Sequence, residues 1–370
     1  MQKRLYIFFI LLGFLSLYTA HLLQDLLETS FVRAMAYALV VMFFVVAWQF
    51  LFRLRPESTE KPWARILVWI GSIGMGFWSV WVGLNIFYDL ILSIFFYFSF
   101  PAGSYHWLPL AIFLFAALAS LAGWISLWRG PQIKRVTIPF AGALKKFKLV
   151  QISDLHVGPT IRGAYVEKVV EKINALEPSV VVLTGDIVDG EPDILRKHLQ
   201  ALKKIRSTHG VFYVTGNHEF YWGAERWIEE FRALNCIVLN NENRVIDFNG
   251  VKILIAGVTD SHAEHFVPAL KADIFAAAKT TELCSLKILL AHRPDFFLEA
   301  EKLGFHLQLS GHTHAGQYFP WNLLVRFFHR YYRGLEKFKS LWVYVNVGTG
   351  YWGPANRFGV PAEITEIVFS

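Results

Sequence analysis

Residues 147–158 read FKLVQISDLHVG, a short apolar run that ends in an aspartate and a histidine. Its β-branched residues predict a strand at residues 147–152. Six further runs of this kind occur at residues 179–184, 211–215, 253–256, 287–291, 307–310 and 342–347. Helical periodicity appears between them, at residues 165–176, 195–205 and 226–234. Strands that alternate with helices predict an α/β layered domain.

Polar side chains gather at the carboxyl ends of five of these predicted strands. They are Asp154, His156, Asp186, Asn217, His218, His292, His312 and His314. Taken singly, an aspartate after a strand is usually a turn or a helix cap, and a single histidine is usually a hydrogen-bonded core or surface residue. Five such ends in one domain are much less compatible with coincidence, because functional sites of layered α/β domains collect at this edge.

Together these side chains supply enough ligands for two divalent cations. The mixture of carboxylate, amide and imidazole favours manganese or iron, with zinc as an alternative. Cys236 and Cys284, the two cysteines, lie in no zinc-ligand spacing, so we do not expect a structural zinc site. Two cations bridged by a carboxylate and a hydroxide can attack phosphorus in line with a leaving group.

The ordered blocks DLH, GD, GNHE, AHRPD and GHTH resemble the calcineurin-like metallophosphoesterase family, over nearly all of residues 145–370. The stretches SGHTHAGQ and VGTGYWGPANRFGVPAEI are similar to its membrane-associated bacterial branch, which includes enzymes resembling UDP-2,3-diacylglucosamine pyrophosphatases. The resemblance implies a four-layer αββα sandwich. It also implies metal-dependent hydrolysis of a phosphate ester or pyrophosphate bond by a metal-activated hydroxide.

The resemblance also implies roles for individual residues. The implied ligands are Asp154, His156 and His314 for one ion, Asn217, His292 and His312 for the other, and Asp186 as the bridge. His218 would be the catalytic residue that stabilises or protonates the leaving oxygen. The family usually has Asp after that histidine, whereas this chain has Glu219, so the hydrogen bond that orients His218 can differ.

Three more residues stand near these blocks. Asp189 is expected either to support a metal-bound histidine or to lie in a plain surface turn. We expect Arg293 and Arg357 to bind a second phosphate of the substrate, because guanidinium matches phosphate geometry. Solvated surface arginines are the alternative.

The first 130 residues differ in composition from the rest, with 8 Lys/Arg and 5 Asp/Glu against 28 and 24 in the remainder. Four runs are long and apolar enough to cross a bilayer, at residues 5–23, 31–51, 66–88 and 107–128. The third continues to residue 100. We interpret it as one span followed by an interfacial segment, because a split near Asn85 would leave a short second half with Asp89 in lipid. The predicted domains are a transmembrane domain of about four helices at 1–130 and a catalytic domain at 131–370.

Lysine and arginine lie at the N-terminus, in the second connection and after the fourth run. The positive-inside rule therefore predicts a multi-pass protein of the bacterial inner membrane with a cytoplasmic catalytic domain. Residues 1–20 also resemble a signal peptide, and its cleavage would leave three spans and the same orientation.

Residues 318–334, YFPWNLLVRFFHRYYRG, interleave aromatic and basic side chains directly after the last motif. They are expected either to cover the sheet or to lie in the bilayer interface beside the site. The expected function is a membrane-anchored phosphoesterase whose partners are the bilayer and a phosphate-containing substrate, lipid-linked or nucleotide-linked.

There are two alternative functions. One is a non-catalytic membrane sensor that uses a phosphoesterase-like domain to bind metal or phospholipid. The other is a transporter or channel, which is disfavoured because Asp89 is almost the only acidic group of the apolar runs. The net charge of +7 is spread evenly over both parts, so nucleic acid is not expected, and the sequence does not indicate an oligomeric state.

Overall fold

The computed structural model describes residues 2–42, 60–98, 107–140 and 144–370. These residues form two compact units. One comprises Met1–Trp124 with Gly353–Asn356, and the other comprises Ile125–Trp352 with Arg357–Ser370. The domain boundary at residue 130 stays a prediction.

The first unit is helical. Its helices are α1 (Gln2–Leu27), α2 (Phe31–Met42), α3 (Pro62–Tyr97) and α4 (Leu108–Arg129), the last of which ends in the second unit. Among the described residues, two segments have the length and composition needed to cross a membrane, Pro62–Phe95 and Leu108–Arg129. About four such spans were expected, and only these two are supported. The predicted span at residues 31–51 lies partly outside the described residues.

Helix α3 does not end near residue 88 as predicted but continues through Asp89 to Tyr97. The Asp89 carboxylate accepts a hydrogen bond from the hydroxyl of Tyr18 in α1, so this acidic group has a partner inside the unit. Where α1 packs on α2, the buried contact is made by Ala20, Ala34 and Ala38, small residues that allow two helices to approach closely.

The described part of the second unit contains twelve strands. They are β1 (Gln132–Ile138), β2 (Lys148–Ile152), β3 (Val180–Thr184), β4 (Val211–Val214), β5 (Ile237–Val238), β6 (Glu242–Phe248), β7 (Val251–Gly257), β8 (Leu286–Leu290), β9 (Leu307–Ser310), β10 (Gly334–Phe338), β11 (Leu341–Val345) and β12 (Glu363–Phe369). They form two six-stranded sheets, β1-β12-β2-β3-β4-β5 and β10-β11-β9-β8-β7-β6. Strands β2 to β5 pair in parallel, and so do β7, β8, β9 and β11.

Helices lie between the strands in sequence. They are α5 (Gly163–Ala175), α6 (Pro192–Leu199), α7 (Asn217–Tyr221), α8 (Ala224–Ala233), α9 (Ile274–Ala278) and α10 (Phe297–Lys302). The predicted helix at 195–205 is α6 followed by a 3-10 turn at Gln200–Lys204. All seven predicted strands are present. Strands β1, β5, β6, β10 and β12 were not predicted.

The main core lies between the two sheets. Leu149 and Val182 of the first sheet and Ile255 and Leu290 of the second belong to one cluster and are fully buried. Such strands are buried on both faces, which explains their continuous apolar runs.

Helices cover the outer faces of the two sheets. On the first, Phe231 of α8 stacks on Tyr213 of β4 with ring centroids 3.9 Å apart. On the second, Ile274 of α9 and Ala300 of α10 join Leu254 of β7 in a second cluster. The predicted α/β class is confirmed, with two sheets.

Candidate metal centre

The first group of possible ligands lies where β2 and β9 end. Asp154 and His156 follow β2, and His314 follows β9. The Nε2 atoms of His156 and His314 are 3.1 Å apart, and the latter is 3.4 Å from Asp154 Oδ1. Their potential ligand atoms all lie within 4.8 Å of one another, and each residue is at most 8% exposed. Three donors that converge in this way can hold one cation.

A second group combines Asp186 after β3, His292 after β8 and His312 after β9. The His292 Nε2 atom lies 3.2 Å from Asp186 Oδ2. On the other side of the ring, Nδ1 of His292 lies 2.8 Å from the carbonyl of Thr184, which accepts a hydrogen bond from it and fixes the ring. Apart from the Asp186 carboxylate, the buried Nε2 atom has no partner among the described residues, as expected for an atom that can bind a cation.

Backbone contacts join the two groups. The backbone N–H of His312 donates to both carboxylate oxygens of Asp154, at 3.1 and 3.0 Å. The backbone N–H of His156 donates to the carbonyl of Asp186 at 3.1 Å. The two groups therefore form one centre, in which His312 is half-buried and the other five residues are buried.

Asn217 stands at the start of α7, beside this centre. Its Oδ1 atom accepts a hydrogen bond from Arg293 Nη2 at 3.3 Å, and its Nδ2 atom donates to the Tyr221 hydroxyl at 3.3 Å. Arg293 also donates from Nε to Asp260 Oδ2 at 3.2 Å. Asp260 is buried and was missed in the sequence, although the run at residues 253–260 also ends in an aspartate.

His218 lies next to the centre, with Nε2 at 4.0 Å from Asp186 Oδ2. Its Nδ1 atom is 3.1 Å from Asp189 Oδ1, and the same oxygen accepts from Trp222 Nε1 at 3.0 Å. Burial lowers the pKa of His218, but the charges of Asp186 and Asp189 outweigh it and raise that pKa to about 9. Asp189 is thus not in a plain surface turn: it supports His218.

Glu219 does not have the role that the motif suggests, which is to orient His218 by a hydrogen bond. Its buried carboxylate accepts hydrogen bonds from the backbone N–H groups of Asp186 at 3.0 Å, Ile187 at 2.8 Å and Gly216 at 2.7 Å. Burial and the charge of Asp186 raise the pKa of Glu219 to about 7. The side chain therefore holds together the loops after β3 and β4, while Asp189 orients His218.

The two carboxylates of the centre are held ionised. Burial is the largest influence on Asp154 and opposes ionisation, but the neighbouring His314 and His292 outweigh it and bring its pKa below the usual range. Asp186 behaves in the same way through His292 and His218, and its pKa is also well below the usual range.

The imidazoles differ in their charge. Burial, together with the neighbouring His218 and His314, lowers the pKa of His156 to about 3. Burial and His292 likewise keep the pKa of His312 well below its usual value. Among the four histidines of the two groups His292 is the exception, because Asp186 overcomes burial and raises its pKa to about 10. The field that favours a proton at His292 also favours a metal cation there, so the donor set fits divalent ions.

The backbone of the centre is unusual. Five residues other than glycine have φ between 49° and 72°, namely Asp154, His156, Asp186, His312 and His314. This left-handed region is costly for residues with a Cβ atom, and such strain clusters at functional sites.

Two glycines allow close packing against the carboxylates. A Cβ atom on Gly216 would lie 2.2 Å from Asp186 Oδ1, and one on Gly311 would lie 2.2 Å from Asp154 Oδ2. Only glycine fits at either position without displacing a carboxylate.

The expectation that Arg357 binds a phosphate is corrected by its position. The side chain is only 1% exposed, and its guanidinium donates to the carbonyls of Gly350 and Val347 and lies 3.2 Å from His314 Nδ1. A buried arginine with these partners cannot reach a substrate. Sequence reasoning could not see this, because burial is not visible in the motif.

Comparisons with known proteins agree with this geometry. Residues 147–316 match the family model of calcineurin-like phosphoesterases. An uncharacterized metallophosphoesterase of Helicobacter pylori is 37% identical over 249 residues, which cover 64% of this chain and 65% of the relative. A transmembrane protein with metallophosphoesterase domain from Bos taurus is 34% identical, with 70% and 62% covered.

An uncharacterized metallophosphoesterase of Campylobacter jejuni is 32% identical over 284 residues, which cover 75% of this chain and 70% of the relative. The chain thus spans somewhat less than two thirds of the Helicobacter and bovine relatives and more of the Campylobacter one. On this evidence the chain belongs to the calcineurin-like metallophosphoesterase family.

Proposed function

We propose that the protein is a membrane-anchored phosphoesterase with two divalent metal ions, which hydrolyses a phosphate ester or pyrophosphate bond. The observation that carries this proposal is the pair of groups that share one centre, with ionised Asp154 in one and ionised Asp186 in the other. Carboxylates and imidazoles favour manganese or iron, with zinc as an alternative. Two such ions would supply an activated water and neutralise the phosphate oxygens.

The chain's own residues have three tasks in this proposal. The ligands would be Asp154, His156 and His314 for one ion, Asn217, His292 and His312 for the other, and Asp186 between them. Arg293 bonds to Asn217 and is only partly buried, which supports a second role as a contact for a substrate phosphate. The third task is proton transfer.

His218 is proposed as the proton donor to the leaving oxygen. The neighbouring Asp189 carboxylate favours the protonated form of its imidazole. The hydrogen bond to Asp189 holds the Nδ1 side, so Nε2 is the atom that faces the substrate. A proton donor in this place increases the rate of bond cleavage by about 10²–10⁴-fold.

A membrane location is supported by the two long apolar helices and by the bovine relative, whose name describes a transmembrane protein. Residues 318–334 form short 3-10 turns instead of a long helix. Phe327 and Phe328 are 71% and 81% exposed, and Arg326 lies over the ring of Phe327. Exposed aromatic groups beside cations suit a bilayer interface.

This segment also reaches the centre, because the ring of His329 lies 5.9 Å from that of His312. We therefore propose a lipid-linked or nucleotide-linked substrate, for which the UDP-2,3-diacylglucosamine pyrophosphatase-type reaction is one candidate. The proposed location is the bacterial inner membrane, with several spans and a cytoplasmic catalytic domain. Nucleic acid is not proposed as a partner.

The proposal is tested with the full chain in detergent, loaded with manganese, and bis-p-nitrophenyl phosphate as substrate. We expect metal-dependent hydrolysis that is lost in Asn217→Ala and strongly reduced in His218→Ala. Metal content is measured in parallel, and His218→Ala should keep it. Stoichiometric metal without hydrolysis in the wild type would instead support the sensor.

The physiological substrate is sought by incubating the enzyme with total lipid and nucleotide extracts and comparing their contents before and after. We expect loss of a phosphate-containing lipid or nucleotide. Products confined to soluble nucleotides would contradict the lipid-linked alternative.

A further inference from the structure

Two exposed aromatic side chains lie close to His218 and a third lies beside one of them, and together we name the three the aromatic rim. They are Tyr221, Phe266 and Trp352, which are 51%, 48% and 50% exposed. The ring centroids of Tyr221 and Trp352 lie 5.0 and 5.8 Å from that of His218, and Phe266 lies 5.4 Å from Tyr221. Large apolar side chains that gather on the surface in this way mark a binding surface.

Trp352 is held in place by the last residue of the SGHTHAGQ motif. The side chain of Gln317 accepts a hydrogen bond from the backbone N–H of Trp352 at 2.8 Å and donates to its carbonyl at 3.0 Å. Gln317 is itself buried, at 6% exposed. The backbone that carries the indole ring is therefore fixed to the loop that carries His312 and His314.

Tyr221 is fixed in a similar way. It ends helix α7, which begins at Asn217, and its hydroxyl accepts a hydrogen bond from the side chain of that residue at 3.3 Å. Two of the three rings are thus attached to elements that carry proposed metal ligands. A rim that is already ordered loses little entropy when it binds a ligand.

We propose that the aromatic rim determines specificity by stacking against a flat aromatic ring on the leaving group, such as the base of a nucleotide. The inference rests on the proposed function, because His218 marks the leaving side only if it protonates the leaving oxygen. Tyr221 and Phe266 meet edge to face, at 62° between ring planes, so their ring faces point in different directions. A flat ring can stack on one of these faces and meet the edge of the other ring, whereas an alkyl chain gains only from the area that it buries.

Two probes that differ only in the base test the proposal, adenosine 5′-monophosphate and ribose 5-phosphate. Isothermal titration with the metal-loaded full chain in detergent should show about tenfold tighter binding of the nucleotide, the lower range of base stacking on aromatic side chains. In Trp352→Ala this preference should fall to about twofold, with the affinity for ribose 5-phosphate unchanged. Trp352→Phe should keep most of the preference.

Phe275→Ala is the matched control, because Phe275 is 66% exposed and lies on α9. It should leave both affinities unchanged. Equal binding of the two probes by the wild type, or an unaltered preference in Trp352→Ala, would overturn the inference.

Decyl phosphate provides a further arm. If it binds more tightly than the nucleotide and this depends on Trp352, the rim accepts a chain and the flat-ring assignment is wrong. If the metal-loaded wild type binds none of the three phosphates, both the inference and the proposed function fail. A failure confined to the nucleotide preference leaves hydrolysis of bis-p-nitrophenyl phosphate intact, so the two failures can be told apart.

Discussion

Replacing Glu219 with alanine should destabilise the α/β unit strongly, even in the absence of metal. The carboxylate accepts three buried backbone N–H groups, those of Asp186, Ile187 and Gly216. A buried donor left without a partner costs about 1–3 kcal/mol, so the three together cost about 3–9 kcal/mol. Water that enters the vacated space can bond to some of them, and we therefore expect a loss of at least about 3 kcal/mol.

A glutamine at the same position should have a smaller effect. One carboxylate oxygen accepts from Asp186 and Gly216, and the other accepts from Ile187. The amide oxygen of Glu219→Gln can keep the first pair of bonds, while its NH₂ group faces one N–H donor. The expected loss is about 1–3 kcal/mol, the cost of one unsatisfied donor.

Pulse proteolysis in urea measures the free energy of unfolding of the α/β unit in detergent. Glu229→Ala is the control, because Glu229 is exposed on α8, and it should change the free energy of unfolding by no more than about 0.5 kcal/mol. If Glu219→Ala unfolds at the same urea concentration as the wild type, the three N–H groups have other partners and the reasoning fails.

Four further outcomes are expected. Gly216→Ala should displace the Asp186 carboxylate, since the new Cβ would lie 2.2 Å from Oδ1, and should lower kcat/KM by about 10²-fold, checked by kinetics alongside metal content. Asp189→Asn should lower kcat by about 10–100-fold with metal content unchanged, because His218 loses its charged partner; an unchanged kcat would contradict this role. Arg357→Lys should cost about 2–4 kcal/mol in unfolding free energy, measured in urea, since one ammonium cannot replace the buried guanidinium contacts. Chelation should abolish hydrolysis and added manganese should restore it, and activity that survives chelation would contradict the metal mechanism.

The sequence predicts every inner strand except β12, whose run EITEIVF carries two glutamates, and it predicts the residues at the strand ends, because both follow from local patterns. Strands such as β3 are buried on both faces, so they appear as continuous β-branched runs, and the aspartate that follows stands out. Strand β1 is different: it lies at the edge of its sheet, and QIKRVTI is mostly exposed, so its composition resembles a loop. Strand β10, GLEKF, is also an edge strand and carries a similarly weak signal.

The support around the site could not be predicted in the same way. That Glu219 bonds to three backbone groups depends on loops from β3 and β4 that meet only in the folded chain. For Arg357 the sequence suggested a contact that the fold does not allow. Its charge suggested a contact with the substrate, but the side chain is buried beside His314. Residue type indicates what a side chain can do, and only the packing determines which partner it has.

The left-handed backbone at Asp154, His156, Asp186, His312 and His314 has a consequence for how this sequence can change. At these positions glycine would relieve about 1 kcal/mol of steric cost each, yet it carries no donor atom. A chain that did not need to bind ions would gain stability if glycine replaced the histidines and aspartates at all five positions. All five positions nevertheless carry the costlier side chains. The need for donor atoms therefore outweighs the preference of the backbone for glycine.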